Sequence, residues 1–171
     1  MDFYAVVVAA HVVGAVVLEI GAVGLLATIL MLGRPQRAGA ASRSVGAAAL
    51  FDRTVPIGAA VVLASGVYMV MNRWGWGEPW LLTGLVGLLA VAPLSPTLIS
   101  PSLTRGSTVA TPSTSTKVLI ATGVLAGVSL GELLLMLAKP SGVGVSVVIL
   151  VSAAAAGVAI AYGYARLGRE R

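Results

Sequence analysis

The chain alternates between long apolar runs and short polar connections. A bilayer hydrocarbon core of about 30 Å is crossed by roughly 20 helical residues, and each of the apolar runs reaches that length. We therefore predict five membrane-spanning helices, at residues 3–32, 44–71, 80–103, 117–138 and 143–165. The predicted fold class is all-α, a single polytopic transmembrane helical bundle that takes in residues 1–171.

The composition agrees with a lipid-facing surface. Of the 171 residues, 58% are hydrophobic and only 10% are charged, whereas soluble domains have roughly 45–50% apolar and about 25% charged residues. No basic residue precedes the first apolar run, so we expect it to be a retained helix and not a cleaved signal peptide. The chain has no cysteine, which excludes disulfides and thiolate metal sites.

The basic residues predict the orientation of the bundle. They lie between the apolar runs, where membrane topology places them, so the net charge of +5 does not indicate nucleic-acid binding. When the connections are assigned to alternate sides, Arg73 and Lys139 lie on one side. The other side receives Arg34, Arg37, Arg43, Arg105, Lys117, Arg166, Arg169 and Arg171. Lys and Arg are retained in the cytoplasm, so we expect the N-terminus outside, the C-terminus inside, and a multi-pass protein of the bacterial cytoplasmic membrane.

Several ionisable side chains fall inside the predicted helices, where they are costly and usually face the bundle interior. At a rise of about 1.5 Å per residue, His11 and Glu132 both lie roughly 10 Å below the outer surface. We expect Arg53 to pair with Glu19, and Asp52 to lie nearer the cytoplasmic interface. The predicted intramembrane cluster is His11, Glu19, Arg53 and Glu132. It is either a buried salt bridge that fixes helix register or part of a proton or ion pathway.

His11 is the chain's one histidine and has two interpretations. It is a hydrogen-bonded interior side chain or a ligand of haem b, which helical bundles hold through neutral imidazoles. Two-histidine ligation within one chain is impossible. The sequence has no phosphate loop, nucleophile elbow or two-histidine zinc motif, so no catalytic residue and no metal site is predicted, and we expect a protein that is not an enzyme.

Tryptophans and glycines mark two further features. Trp74, Trp76 and Trp80 fall at one membrane boundary, where they form an aromatic anchor belt or a lid over a ligand. Small residues at every fourth position let helices approach closely, and the fourth helix has such a ladder. The ladder consists of Gly123, Gly127 and Gly131. We expect these glycines either to pack the helix against another helix of the same chain or to form a homodimer interface.

Prolines interrupt the second half of the third helix. Pro93, Pro96 and Pro101 each remove a backbone donor. They either bend the helix, leaving carbonyls that must find partners, or end it early.

Several short motifs together resemble a known family. They are His11-Val12-Val13-Gly14-Ala15, Asp52-Arg53, Ser65-Gly66-Val67-Tyr68, Trp74-Gly75-Trp76 with Pro79-Trp80-Leu81, and the prolines of the third helix. This set resembles the bacterial integral membrane family called domain of unknown function 2269, over nearly the whole chain. The resemblance implies a membrane topology and no established activity. Glu19 departs from the tryptophan or apolar residue expected there.

The sequence favours two functions from different classes. The first is a small transport or permeation component, or an accessory subunit of a larger membrane complex, with the bilayer and another copy or other subunits as partners. The second is a haem- or quinone-linked membrane redox protein that uses His11.

Overall fold

The computed structural model describes residues 2–32, 38–106 and 116–167, and these are helical apart from short turns. The α-helices are α1 Phe3–Leu32, α2 Ala38–Met69, α3 Pro79–Val91, α4 Ser100–Gly106, α5 Thr116–Ala138 and α6 Val143–Leu167, and two π-helical turns lie at Val70–Trp74 and Ser95–Ile99. No strand occurs within the described residues. The predicted all-α fold is confirmed.

In the described part of the chain, five helices are long and apolar enough to cross a membrane. They are Phe3–Leu32, Ser42–Trp74, Pro79–Thr104, Thr116–Ala138 and Val143–Tyr164. The prediction of five helices of membrane-spanning length is therefore confirmed, and their ends differ by a few residues from the predicted ones. The second span continues through the π-helical turn to Trp74, beyond the predicted end at residue 71.

Two tightly packed hairpins, α1–α2 and α5–α6, form most of the bundle. Both depend on glycines at close backbone approaches. A Cβ atom at Gly58 of α2 would lie 2.6 Å from the backbone nitrogen of Leu18 on α1, far inside van der Waals contact. On the other hairpin, the ladder Gly123, Gly127 and Gly131 faces the backbone and side chains of α6 around Ala153 and Gly157. The ladder thus packs within the chain, the first of its two interpretations.

The third span is one bent helix and does not end early at its prolines. Pro93 and Pro96 interrupt the regular bonding after α3, and the chain then passes through the π-helical turn Ser95–Ile99 into α4. The Pro93 carbonyl accepts hydrogen bonds from both the Thr97 N–H at 3.1 Å and the Thr97 hydroxyl at 2.6 Å.

Consecutive helices α2 and α3 hardly touch, although the turn of Ser95–Ile99 and α4 both pack against α2. The two helices therefore separate at the end of the bundle that carries Trp74, Trp76 and Trp80, which we call the tryptophan end. The N-terminus lies at the same end, since the Arg73 guanidinium stacks 5.0 Å from the Tyr4 ring centroid. The first two spans thus run in opposite directions, as the assignment of the connections to alternate sides assumes. Arg34, Arg37, Arg169 and Arg171 lie outside the described residues.

Candidate functional site

A cavity of about 110 Å³ occupies the gap between α2 and α3 at the tryptophan end. Apolar side chains of α2, α3 and α5 form most of its wall, and all three tryptophans line it. Trp74 and Trp76 are also 43% and 48% exposed, so they stand at its mouth. The two ionisable side chains that line the cavity are His11 and Glu132, which the sequence predicts to lie at matching depth.

His11 is fixed by a hydrogen bond to α2. Its Nδ1 lies 3.0 Å from the Ser65 hydroxyl oxygen, and that hydroxyl donates to the Val61 carbonyl on its own helix. A serine hydroxyl has one proton, so Nδ1 must be the donor in the bond between the two side chains. The neutral imidazole then keeps Nε2 as a hydrogen-bond acceptor.

Glu132 is more buried than His11 and lies where α3, α5 and α6 meet. The side chain is 6% exposed, and its Oε1 has no hydrogen-bond partner among the described residues. A Cβ atom at Gly87 of α3 would lie only 3.1 Å from this oxygen, so the glycine leaves room for the carboxyl group. Buried polar atoms without a partner are uncommon in native structures and call for a ligand, a water molecule or a functional role.

The polar atoms of the cavity therefore share one chemical property. Glu132 Oε1, as a carboxylate, and His11 Nε2 both accept hydrogen bonds, while the rest of the lining is mainly apolar. A matching ligand supplies donor hydrogens and apolar surface. Oxidised quinones offer only carbonyl acceptors, so they are poorly matched to this pair.

Three aromatic rings and one cation form the mouth of the cavity. Trp74 and Trp80 meet edge to face with centroids 5.8 Å apart. The Lys139 ammonium, in the turn between α5 and α6, lies 4.5 Å from the Trp74 ring centroid. The three rings thus line the cavity, and they also suit a membrane boundary.

The predicted ion pair between Glu19 and Arg53 is absent from the described residues. Arg53 is exposed on the outer surface of α2, and α2 is rotated so that Asp52 faces the interior instead. Glu19 is half-buried and does not line the cavity, but it is close enough to Glu132 for the two charged carboxylates to repel each other. Of the predicted cluster, His11 and Glu132 thus line one cavity, Glu19 lies near Glu132 but outside the lining, and Arg53 is on the surface.

Asp52, which the sequence analysis set apart from the cluster, forms a second polar site with two serines that it did not identify. It is 5% exposed, and its carboxylate accepts hydrogen bonds from the Ser95 hydroxyl at 2.7 Å and from the Ser100 hydroxyl. These bonds join α2 to the bent part of the third span. Asp52 precedes Val62, a cavity residue of α2, by ten positions, or about 15 Å along the helix. Asp52 is therefore buried within the bundle, well away from the cavity, and its position relative to the cytoplasmic interface stays a prediction.

Haem b does not fit this site. The cavity of about 110 Å³ is comparable with the ~150 Å³ cavity that holds one benzene ring, so it suits a ligand of about that size, whereas a porphyrin is several times larger. The His11 ring packs over Gly66, where an added Cβ atom would lie 3.4 Å from His11 Cε1.

Comparisons with known proteins add no identification: no family model, no curated protein and no solved structure matches the chain. The resemblance to domain of unknown function 2269 therefore stays an expectation from the motifs.

Proposed function

We propose that the protein is a small transport or permeation component that takes a small donor-bearing solute into the cavity at the tryptophan end. The observation that supports this most is the buried Glu132 oxygen without a partner in a cavity that also contains His11. Glu132 is the main binding group and His11 the second. Buried carboxyl oxygens without a partner are uncommon where helices serve only for packing, so the geometry favours transport over an accessory role.

The same proposal includes a location and an orientation. The protein lies in a bacterial cytoplasmic membrane with the tryptophan end outside, because eight basic residues of the sequence fall on the opposite side and two on this one. The solute then enters from outside between α2 and α3. The bonds from Ser95 and Ser100 to Asp52 close the bundle farther along this path.

Flux into proteoliposomes tests the proposal. Radiolabelled methylammonium and glycerol, one charged and one neutral donor, are offered to vesicles with the wild-type protein and to protein-free vesicles. We expect protein-dependent uptake of at least one solute, and its loss in Glu132→Gln. Glu78→Gln is the matched control, because it makes the same chemical change outside the cavity lining. No uptake above protein-free vesicles, or equal uptake by Glu132→Gln, contradicts the proposal.

A further inference from the structure

The mouth of the cavity already holds a cation that belongs to the protein. The Lys139 ammonium lies 4.5 Å from the Trp74 ring centroid and 5.9 Å from that of Trp80. Within the described residues these rings are its partners, since no carboxylate or carbonyl contact accompanies them. Ammonium groups bind the faces of indole rings through the ring quadrupole. The two tryptophans therefore form a surface that attracts a positive charge.

The cavity connects this surface to a carboxylate. Lys139 follows Glu132 by seven residues on α5 and its C-terminal turn, which is nearly two helical turns, so the two residues lie on about the same face and about 10 Å apart along the axis. Leu135 and Met136, between them in sequence, line the cavity. A cation at the rings thus has an apolar path to a buried group of opposite charge.

We infer that the solute of the proposed transport function is a small alkylammonium ion, bound between Trp74, Trp80 and Glu132, with Lys139 as an internal competitor for the aromatic surface. The inference rests on the proposed function and specifies its substrate class. The N–H groups of such an ion match the acceptors Glu132 Oε1 and His11 Nε2, and its alkyl groups match the apolar wall. Its charge is balanced by the Glu132 carboxylate.

Lys139 distinguishes this assignment from an anion site. If the solute were an anion, the Lys139 ammonium would contact it directly, and removal of the lysine would weaken binding. For an alkylammonium ion the lysine both occupies the aromatic surface and repels the solute. Its removal then strengthens binding, so the two assignments predict opposite signs.

Tryptophan fluorescence of the purified protein in detergent measures binding. All three tryptophans of the chain line this cavity, so the intrinsic signal reports on the site alone. The probe is tert-butylammonium, and tert-butanol is the neutral control of nearly the same shape. We expect saturable quenching or enhancement by tert-butylammonium and at least tenfold weaker binding of tert-butanol. Equal binding of the two, or no response to the ammonium ion, overturns the inference.

Two variants that remove one positive charge each provide the matched pair. Lys139→Gln should tighten tert-butylammonium binding by roughly threefold to tenfold, the range of one exposed cation–π contact and its charge. Arg73→Gln should change it less than twofold, because Arg73 stacks on Tyr4 and does not line the cavity. Weaker binding by Lys139→Gln overturns the inference.

Glu132→Gln should weaken binding by about thirtyfold or more, as expected for loss of one partner of a buried charge pair. If this variant does not fold, Glu132→Asp replaces it, and it should weaken binding but keep the preference for tert-butylammonium over tert-butanol. Retained affinity in Glu132→Gln, or a lost preference in Glu132→Asp, contradicts the assignment. If glycerol is taken up but the ammonium ion does not bind, this inference is overturned and the transport function is not. If the ammonium ion binds but neither solute is taken up, the transport function alone is overturned.

Discussion

The Asp52 carboxylate on α2 accepts a hydrogen bond of 2.7 Å from the Ser95 hydroxyl in the bent part of the third span. Pro56 follows Asp52 by four residues and has no N–H, so it leaves the Asp52 carbonyl without its helical donor. The same Ser95 hydroxyl lies 3.4 Å from that carbonyl. One serine at one bend thus approaches both polar groups of Asp52.

We therefore expect Asp52→Ala to destabilise the protein by about 1–3 kcal/mol, because it removes the carboxylate that accepts hydrogen bonds from the Ser95 and Ser100 hydroxyls. Thermal unfolding in detergent measures the change. Ser102→Ala is the control, since the exposed Ser102 hydroxyl bonds only to Leu98 on its own helix, and it should leave the midpoint nearly unchanged. Equal midpoints for Asp52→Ala and wild type would show that the hydrogen bonds do not hold the two spans together.

Gly127→Ala should loosen the α5–α6 hairpin. Its Cβ would overlap the Ala153 carbonyl oxygen and lie 2.8 Å from Ala154 Cα, and backbone atoms cannot yield as a side chain can. Overpacking of this kind costs about 1–3 kcal/mol, which resistance to denaturation in detergent will show. Gly144→Ala on α6 meets nothing within 4 Å and should be neutral or slightly stabilising. A neutral Gly127→Ala would contradict the close packing of these helices.

Glu19 and Arg53 should act independently. Since Arg53 is exposed and the two form no ion pair in the described part of the chain, a double-mutant cycle with Glu19→Gln and Arg53→Gln should give a coupling below about 0.5 kcal/mol. Unfolding free energies of the two single variants and the double variant supply the cycle. A coupling of about 2 kcal/mol or more would restore the ion pair that the sequence predicted.

The purified protein should not bind haem through His11. Because the cavity is too small for a porphyrin, incubation with haemin should give no Soret band that differs between the wild type and His11→Ala. Absorption spectroscopy after removal of free haemin makes the comparison. A band present in the wild type and lost in His11→Ala would refute the size argument.

The five long apolar helices could be predicted from the sequence. So could the placement of His11 and Glu132 at one level of the bundle, where both line the cavity. Depth follows from topology and the rise per residue. The exposure of Arg53 could not be predicted from the sequence. It depends on the rotation of α2 about its axis, and packing against the other helices determines that rotation. Rotation by about 100°, one residue, exchanges Asp52 for Arg53 on the interior face.

The bond from Ser95 to Asp52 joins residues 43 positions apart, so local pattern does not reveal it. A signal was nevertheless present in the sequence. Pro56 after Asp52, and Pro93 and Pro96 around Ser95, mark two places where backbone groups lack partners. The prolines do not show that these two places contact each other, because that contact depends on how α2 packs against the third span.

Reaction of single cysteines with a water-soluble thiol reagent tests the central claim, an open cavity between α2 and α3, most directly. The chain has no cysteine of its own, so Gly84→Cys and Val86→Cys each provide one thiol. Gly84 lines the cavity and has free space around it, whereas Val86 is 66% exposed on the opposite face of α3, at nearly the same depth.

In vesicles, (2-trimethylammonioethyl) methanethiosulfonate should modify Gly84→Cys rapidly, and tert-butylammonium should slow that reaction. Val86→Cys, which faces lipid, should react far more slowly and without protection. Equal and slow modification of the two thiols would contradict a water-accessible cavity, and with it the proposed function.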